Sequence, residues 1–211
     1  MAKGLLVASF DFSTAHEDEF HDWYDTEHVP ERQRVPGIMN ATRWIGADNP
    51  TYAVATYDLE SLSVLQSPAY LAVGGANGSP WTKRVTNAAT RIMRFTGDQI
   101  LPGGLVSPDN AQGLLLASMN VDPAAEDEFN EWYNTEHIPF LASVPGVLTA
   151  RRFKSADPTS ERKYLALYNL ETADASRSAA WEKAAHTPWS ARITRYFQDL
   201  LVIRCTRYHR G

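Results

Sequence analysis

Glu17-Asp18-Glu19-Phe20-His21-Asp22-Trp23-Tyr24-Asp25-Thr26-Glu27-His28-Val29-Pro30 recurs 109 residues later as Glu126-Asp127-Glu128-Phe129-Asn130-Glu131-Trp132-Tyr133-Asn134-Thr135-Glu136-His137-Ile138-Pro139. The match extends through Val35-Pro36-Gly37 and Val144-Pro145-Gly146 to Arg43 and Arg152, and back to Gly4-Leu5-Leu6 and Gly113-Leu114-Leu115. It continues from Tyr57-Asp58-Leu59-Glu60 to Tyr168-Asn169-Leu170-Glu171, and from Ser79-Pro80-Trp81 to Thr187-Pro188-Trp189. Self-similarity over this length reads as a duplicated domain, not a short motif. The expected units are residues 1–100 and 113–211, joined by a Gly- and Pro-rich linker at 101–112.

Each half carries the same order of elements. Leu5 to Phe12 is a short apolar run with β character. Residues from about Ala15 to His28 read as a helix, with Ser13 or Thr14 as cap and Glu17, Asp18 and Glu19 at its positive end. Strands are expected at Ile38–Trp44, Tyr52–Leu59 and Thr90–Thr96, with a weaker helix from Ser61 and a helical start at Pro80-Trp81. The order βαββαβ is the ferredoxin-like split unit, whose sheet carries helices on one face only. A second copy is the natural cover for the bare face. The fold class is therefore α+β, with two ferredoxin-like domains packed sheet to sheet within one chain as a pseudo-dimeric α+β barrel.

The chain has 211 residues, 25 acidic and 20 basic, giving a formal charge of −5. This mild acidity argues against nucleic acid or an anionic membrane as partner. One cysteine, Cys205, forms no intrachain disulfide, and no Cys/His set has zinc spacing. No apolar run approaches the roughly 20 residues of a membrane span, and the N-terminal apolar run is too short for a signal peptide. A cytoplasmic protein is expected, with a small molecule as partner and a homodimer as the further association its outer strand edges leave open. There is no phosphate loop, dinucleotide fingerprint or nucleophile elbow, so neither metal nor cofactor is expected. The unrepeated His16, His21 and His186 carry no geometric signal.

On a 100° wheel Phe20, Trp23, Tyr24 and Glu27 share one stripe, as do Phe129, Trp132, Tyr133 and Glu136. A carboxylate in mid-stripe needs a partner or a proton. Arg43 and Arg152 on the following strand are the expected partners, either as structural pairs or as part of a site. His28 and His137 lie two residues before a proline, which is expected to end or kink the helix there. A histidine at a helix C-terminus would have its pKa raised by the dipole. It could serve as a proton-transfer group beside Glu and Tyr, or simply cap its own helix.

The block Phe-x-x-Trp-Tyr-x-x-Glu-His-x-Pro followed by Val-Pro-Gly resembles the dimeric α+β barrel superfamily, and most closely its EthD-like and related branches. The resemblance covers nearly the whole chain, once per half. It implies a barrel of two ferredoxin-like domains, and by motif position it places the family's histidine on His28 and His137. The superfamily includes monooxygenases, isomerases, polyketide cyclases and haem-degrading enzymes; the histidine patterns of its haem-using branches are absent here. Three readings stay open. The first is a cofactor-independent isomerase, lyase or cyclase acting on a small apolar cyclic or aromatic metabolite, as in aromatic compound catabolism. The second is a ligand-binding or accessory protein. The third is a cofactor-free or haem-type monooxygenase. Catalytic candidates are His137, His28, Glu136, Glu27, Tyr133 and Tyr24. Substrate-binding candidates are Trp132, Trp23, Arg152, Arg43, Phe140 and Trp189. The second half is the favoured site, because Phe140-Leu141-Ala142-Ser143 is apolar where the first half has Glu31-Arg32-Gln33-Arg34.

Overall fold

The computed structural model describes residues 3–210. The first half contains β1 (Gly4–Asp11), α1 (Glu17–Trp23), α2 (Val29–Gln33), β2 (Ile38–Gly46), β3 (Tyr52–Leu59), α3 (Pro68–Val73), α4 (Pro80–Ala88) and β4 (Thr90–Leu101). The second repeats the series as β5 (Gly113–Val121), α5 (Glu126–Trp132), α6 (Ile138–Ala142), β6 (Val147–Lys154), β7 (Tyr164–Leu170), α7 (Ala179–Ala185), α8 (Pro188–Ile193) and β8 (Phe197–Arg207). The strands close into one antiparallel barrel in the order β1-β3-β2-β8-β5-β7-β6-β4. The halves are therefore not two separate sheets stacked face to face. They join edge to edge through β2–β8 and β4–β6, which leaves no unpaired strand edge in the barrel.

Side chains alternate along every strand, so each strand feeds two cores. Leu5, Val7, Trp44, Phe95, Leu116, Phe153, Leu167 and Ile203 fill the barrel interior. The outward face of each half packs under its helices, around Phe20, Trp23 and Tyr24 in the first and Phe129, Trp132 and Tyr133 in the second. The Val-Pro-Gly turns lead into β2 and β6 with Gly37 at φ 91° and Gly146 at φ 86°, a left-handed conformation that favours glycine.

The repeated helix departs from the expected one. It begins at Glu17, and neither Ser13 nor Thr14 caps it: Ser13 N–H bonds Asp11, and the Thr14 hydroxyl bonds the Ala88 carbonyl. It does not end at the histidine either. Tyr24–His28 and Tyr133–His137 form π-helical turns that run on into α2 and α6. The N–H of Val29 reaches back to the Tyr24 carbonyl, and that of Ile138 to the Tyr133 carbonyl. The wider turn thus absorbs the prolines, whose missing N–H would otherwise break an α-helical ladder. Each π turn holds one extra residue, so positions beyond the tyrosine lag behind the 100° wheel. His28 and His137, not the glutamates, come back beneath the aromatic stripe.

A buried ion pair joins the halves inside the barrel. Arg151 is 0% exposed and Asp58 2%. Arg151 donates to Asp58 at 2.6 Å, to the Ser107 hydroxyl at 2.7 Å and to Asn169 at 3.2 Å. The Ser107 N–H donates to the other Asp58 oxygen at 2.7 Å. The connecting segment is thus more than a flexible linker: Ser107 and Ala111 are buried in it. Removing one partner of such a pair strands a buried charge, at about 3–5 kcal/mol. Asp58→Asn should lower unfolding stability by about that amount, and Asp58→Asn with Arg151→Met should recover much of it. Chemical denaturation of the single and double variants checks both.

Candidate functional site

A cavity of about 370 Å³ opens between the outward face of the second half's sheet and its helices. Leu115, Ala117 and Met119 of β5 form its floor, with Leu200, Val202 and Arg204 of β8 beside them. Trp132, Tyr133, His137, Leu141, Tyr168 and Trp181 wall it, and Thr187, Ser190, Glu182 and His186 complete the lining. Of the predicted residues, the structure brings Trp132, Tyr133 and His137 together here. Phe140 does not take part: it is 45% exposed, while its neighbour Leu141 faces the cavity. Trp189 also lies outside, where its indole N–H bonds Glu128 at 3.0 Å. His186, set aside in the sequence, stands exposed at the rim.

The glutamates have other partners than those expected. Glu136 accepts the Thr187 hydroxyl at 2.5 Å. Glu27 accepts Ser79 at 2.5 Å and Thr82 at 3.1 Å. Ser79 and Thr187 are the N-cap residues of α4 and α8. Each glutamate therefore fixes the start of a second helix against the first and pairs with no arginine. The Glu→Ala cost is then that of a hydroxyl–carboxylate hydrogen bond. We expect about 1–2 kcal/mol for Glu136→Ala, well below the cost of stranding a buried arginine, as thermal unfolding would measure.

The arginines find their partners one turn earlier. Arg43 pairs with Asp25 and meets His21 at 2.8 Å, with Tyr24 and Tyr208 flanking its guanidinium at 4.5 and 4.0 Å. Arg152, 1% exposed, has only neutral partners there, Asn134 at 2.6 Å and Asn130 at 3.0 Å. It sits 4.3 Å from the Tyr133 ring centroid, so it supports the cavity wall from behind.

His137 lies against Trp132, ring centroids 4.3 Å apart, and edge-on to Tyr133 at 5.0 Å. Its Nδ1 is buried without a hydrogen-bond partner, and so is the Tyr168 hydroxyl. The Tyr133 hydroxyl reaches the Met119 sulfur at 3.8 Å and lies beside the Tyr168 hydroxyl. Burial, helped by the nearby Arg152 charge, pushes the His137 pKa down to about 3. This reverses the expected upward shift, because the histidine is beneath the aromatic stripe and not at a helix C-terminus. Burial pushes Tyr133 up to about 12, so its phenol stays protonated. His28 has the same setting against Trp23 and Tyr24 and is likewise lowered to about 3 by burial.

The first half packs the matching region differently. Arg32 stands at the place of Leu141 and Phe10 at the place of Met119. Arg32 is 5% exposed, lies 5.5 Å over Tyr70, and biases the ionisation of Tyr24, His28 and Tyr57. A bulky side chain occupies the first half's stripe where leucine leaves room in the second. Tyr168, Trp181, Thr187, Ser190 and Arg204 escaped sequence reasoning as site residues. The one signal for Tyr168 was its repeat partner Tyr57. Among the described residues no three His, Cys, Asp or Glu side chains group as metal ligands, and no helix is long and apolar enough to cross a membrane.

Both histidines bind a proton more weakly in the folded state than at their ordinary pKa of 6.5. The unfolded chain therefore binds more protons below that pH, and the histidines make stability fall as pH drops from 6.5 towards 3. His28→Gln and His137→Gln should each flatten this loss, as denaturation midpoints across that range would record. In NMR spectra neither wild-type imidazole should titrate between pH 5 and 8.

The sequence profile of a domain of unknown function, DUF4286, matches residues 114–207. No curated protein matches the chain. Among solved structures, an anthrone oxidase-like protein is 13% identical with a TM-score of 0.66, over 99% of this chain and 92% of that one. A mutant chlorite dismutase from Candidatus Nitrospira defluvii, in complex with cyanide, is 11% identical with a TM-score of 0.64, over 98% of this chain and 91% of that one. A candidate monooxygenase from Lactobacillus acidophilus NCFM is 11% identical with a TM-score of 0.56, over 98% and 94%. The chain thus shares the mixed α+β fold of these solved structures.

Proposed function

We propose that the second half's cavity takes a small, mostly apolar cyclic or aromatic molecule and that His137 accepts a proton from it. The observation that carries this reading is an aromatic-lined cavity of about 370 Å³ with His137, Tyr133 and Tyr168 in its wall. His137 Nδ1 and the Tyr168 hydroxyl lack hydrogen-bond partners, as do His28 Nδ1 and the Tyr24 and Tyr57 hydroxyls of the first half, so the orphaned groups belong to the recurring motif and the cavity beside them carries the reading. A ligand oxygen set between the two phenols gives them an acceptor.

At rest the imidazole is neutral and weakly basic. A proton leaving the ligand creates an anion beside it, and an opposite charge at close range favours the imidazolium. The low dielectric of the cavity strengthens that attraction. Tyr133 and Tyr168 donate to the oxygen that gains charge, the role of an oxyanion hole. Glu136 is a positioning residue: it holds the Thr187 cap, and with it the start of α8, against the histidine-bearing turn. Isomerisation, elimination and cyclisation all begin with this proton transfer. A second reading, reaction of the resulting carbanion with dioxygen, is favoured by the oxidase-like and monooxygenase names of the structural relatives. The histidine-before-proline motif favours the EthD-like branch. We read the halves as tandem copies of one ferredoxin-like unit, so that a single chain supplies both sides of the barrel, and we place the protein in the cytoplasm.

Exchange of the ligand's acidic C–H in deuterated buffer tests the chemistry. His137→Gln should slow it by roughly 10²-fold or more, whereas His28→Gln should leave it near wild type. Leu141→Arg, which imports the first half's filling residue, should abolish ligand binding. Undiminished exchange in His137→Gln would leave the cavity a binding pocket only.

A further inference from the structure

Arg204 lines the same cavity, on the face of β8 that looks away from the barrel. Its Nε is buried and makes no hydrogen bond. Its Nη1 forms a long ion pair with one Asp48 oxygen at 3.7 Å, without a hydrogen bond, while the other Asp48 oxygen pairs with Arg177. The guanidinium is thus held near the cavity by one long ion pair. In the strand register Arg204 stands beside Leu115, and the matching position beside Leu6 in the first half is Thr96. The rim carboxylate, Glu182, pairs with His186 at 3.1 Å.

The position along the floor matters as much as the charge. Leu115, beside Arg204, and Met119, beside the Tyr133 hydroxyl, lie four residues apart on β5. At about 3.3 Å per residue the backbone positions beside Arg204 and beside the Tyr133 hydroxyl are roughly 13 Å apart, while Tyr168 stands opposite Leu115 on the other flank of β5 from Arg204. Between Leu115 and Met119 the floor is Ala117 with Leu200 and Val202, which are 53% and 42% exposed. A largely apolar floor with a guanidinium on one flank, and phenols and an imidazole elsewhere in the lining, fits a ligand that combines apolar surface with a negative charge.

We propose that Arg204 is a specificity-determining residue that binds a carboxylate on the ligand taken by this cavity. The substrate class is then an aromatic or fused-ring carboxylic acid, not a neutral aromatic. Arginine offers paired N–H donors in the geometry a carboxylate accepts. The inference rests on the cavity being the ligand site.

Calorimetric titration of the full chain with naphthoate and with its uncharged methyl ester separates the two ideas. Wild type should bind naphthoate at least about tenfold more tightly than the ester. Arg204→Gln should bring that ratio close to one, and Arg204→Lys, a point charge without the paired donors, should fall between. Equal affinities in wild type, or a preference that survives in Arg204→Gln, overturn the role of Arg204 while leaving the cavity as a binding site. Absence of binding by either probe overturns both. Unchanged melting temperatures of the variants exclude misfolding as the cause.

Discussion

Arg151 holds a charge at full burial inside the barrel, and its Nη hydrogens meet acceptors from three parts of the chain while its Nε makes no hydrogen bond. Asp58 comes from the first half, Asn169 from the second, and Ser107 from the segment between them. These groups meet only in the observed closure, so this network favours the register in which the β2–β8 and β4–β6 ladders join the halves. It also makes the halves non-interchangeable. Asp58 and Asn169 are repeat partners, and so are Thr42 and Arg151. Two first halves would enclose two carboxylates with no arginine, and two second halves two arginines with no carboxylate. At several kcal/mol for an unpaired buried charge, one mixed arrangement is selected.

The order of elements was legible because the sequence shows it twice. A strand, a helix, two strands, a helix and a strand recur at nearly constant spacing, but the need to cover a bare sheet face pointed to sheets stacked face to face, whereas the halves join edge to edge in one closed barrel. The network around Arg151 was not legible, although its trace was there. Asp58 against Asn169 and Thr42 against Arg151 are charge differences at matched positions. They gain meaning only when β3 and β6 are known to face the same interior.

The candidate site was half legible, and the failure has a single physical origin. A wheel of 100° per residue put Glu27 and Glu136 in the stripe and His28 and His137 at its edge. The prolines that suggested a helix end are instead taken up by a π turn, which rotates the histidine inward and the glutamate outward. From that rotation follow the depressed histidine pKa, the hydroxyl partners of the glutamates and the freedom of the arginines to pair elsewhere. The contrast between Phe140-Leu141 and Glu31-Arg32 points to the half that holds the cavity, and it does so through Leu141, because Phe140 is turned outward.

The filled first half gives the molecule a built-in reference. His28 and His137 share one backbone geometry, one pair of flanking aromatics and one direction of pKa shift, and differ chiefly in whether arginine or leucine stands behind them. Any perturbation common to the whole chain, such as temperature, salt or global loosening, acts on both alike. A response confined to His137 reports the cavity itself. Difference spectroscopy between the two histidines therefore cancels the background within each molecule, without a second protein for comparison.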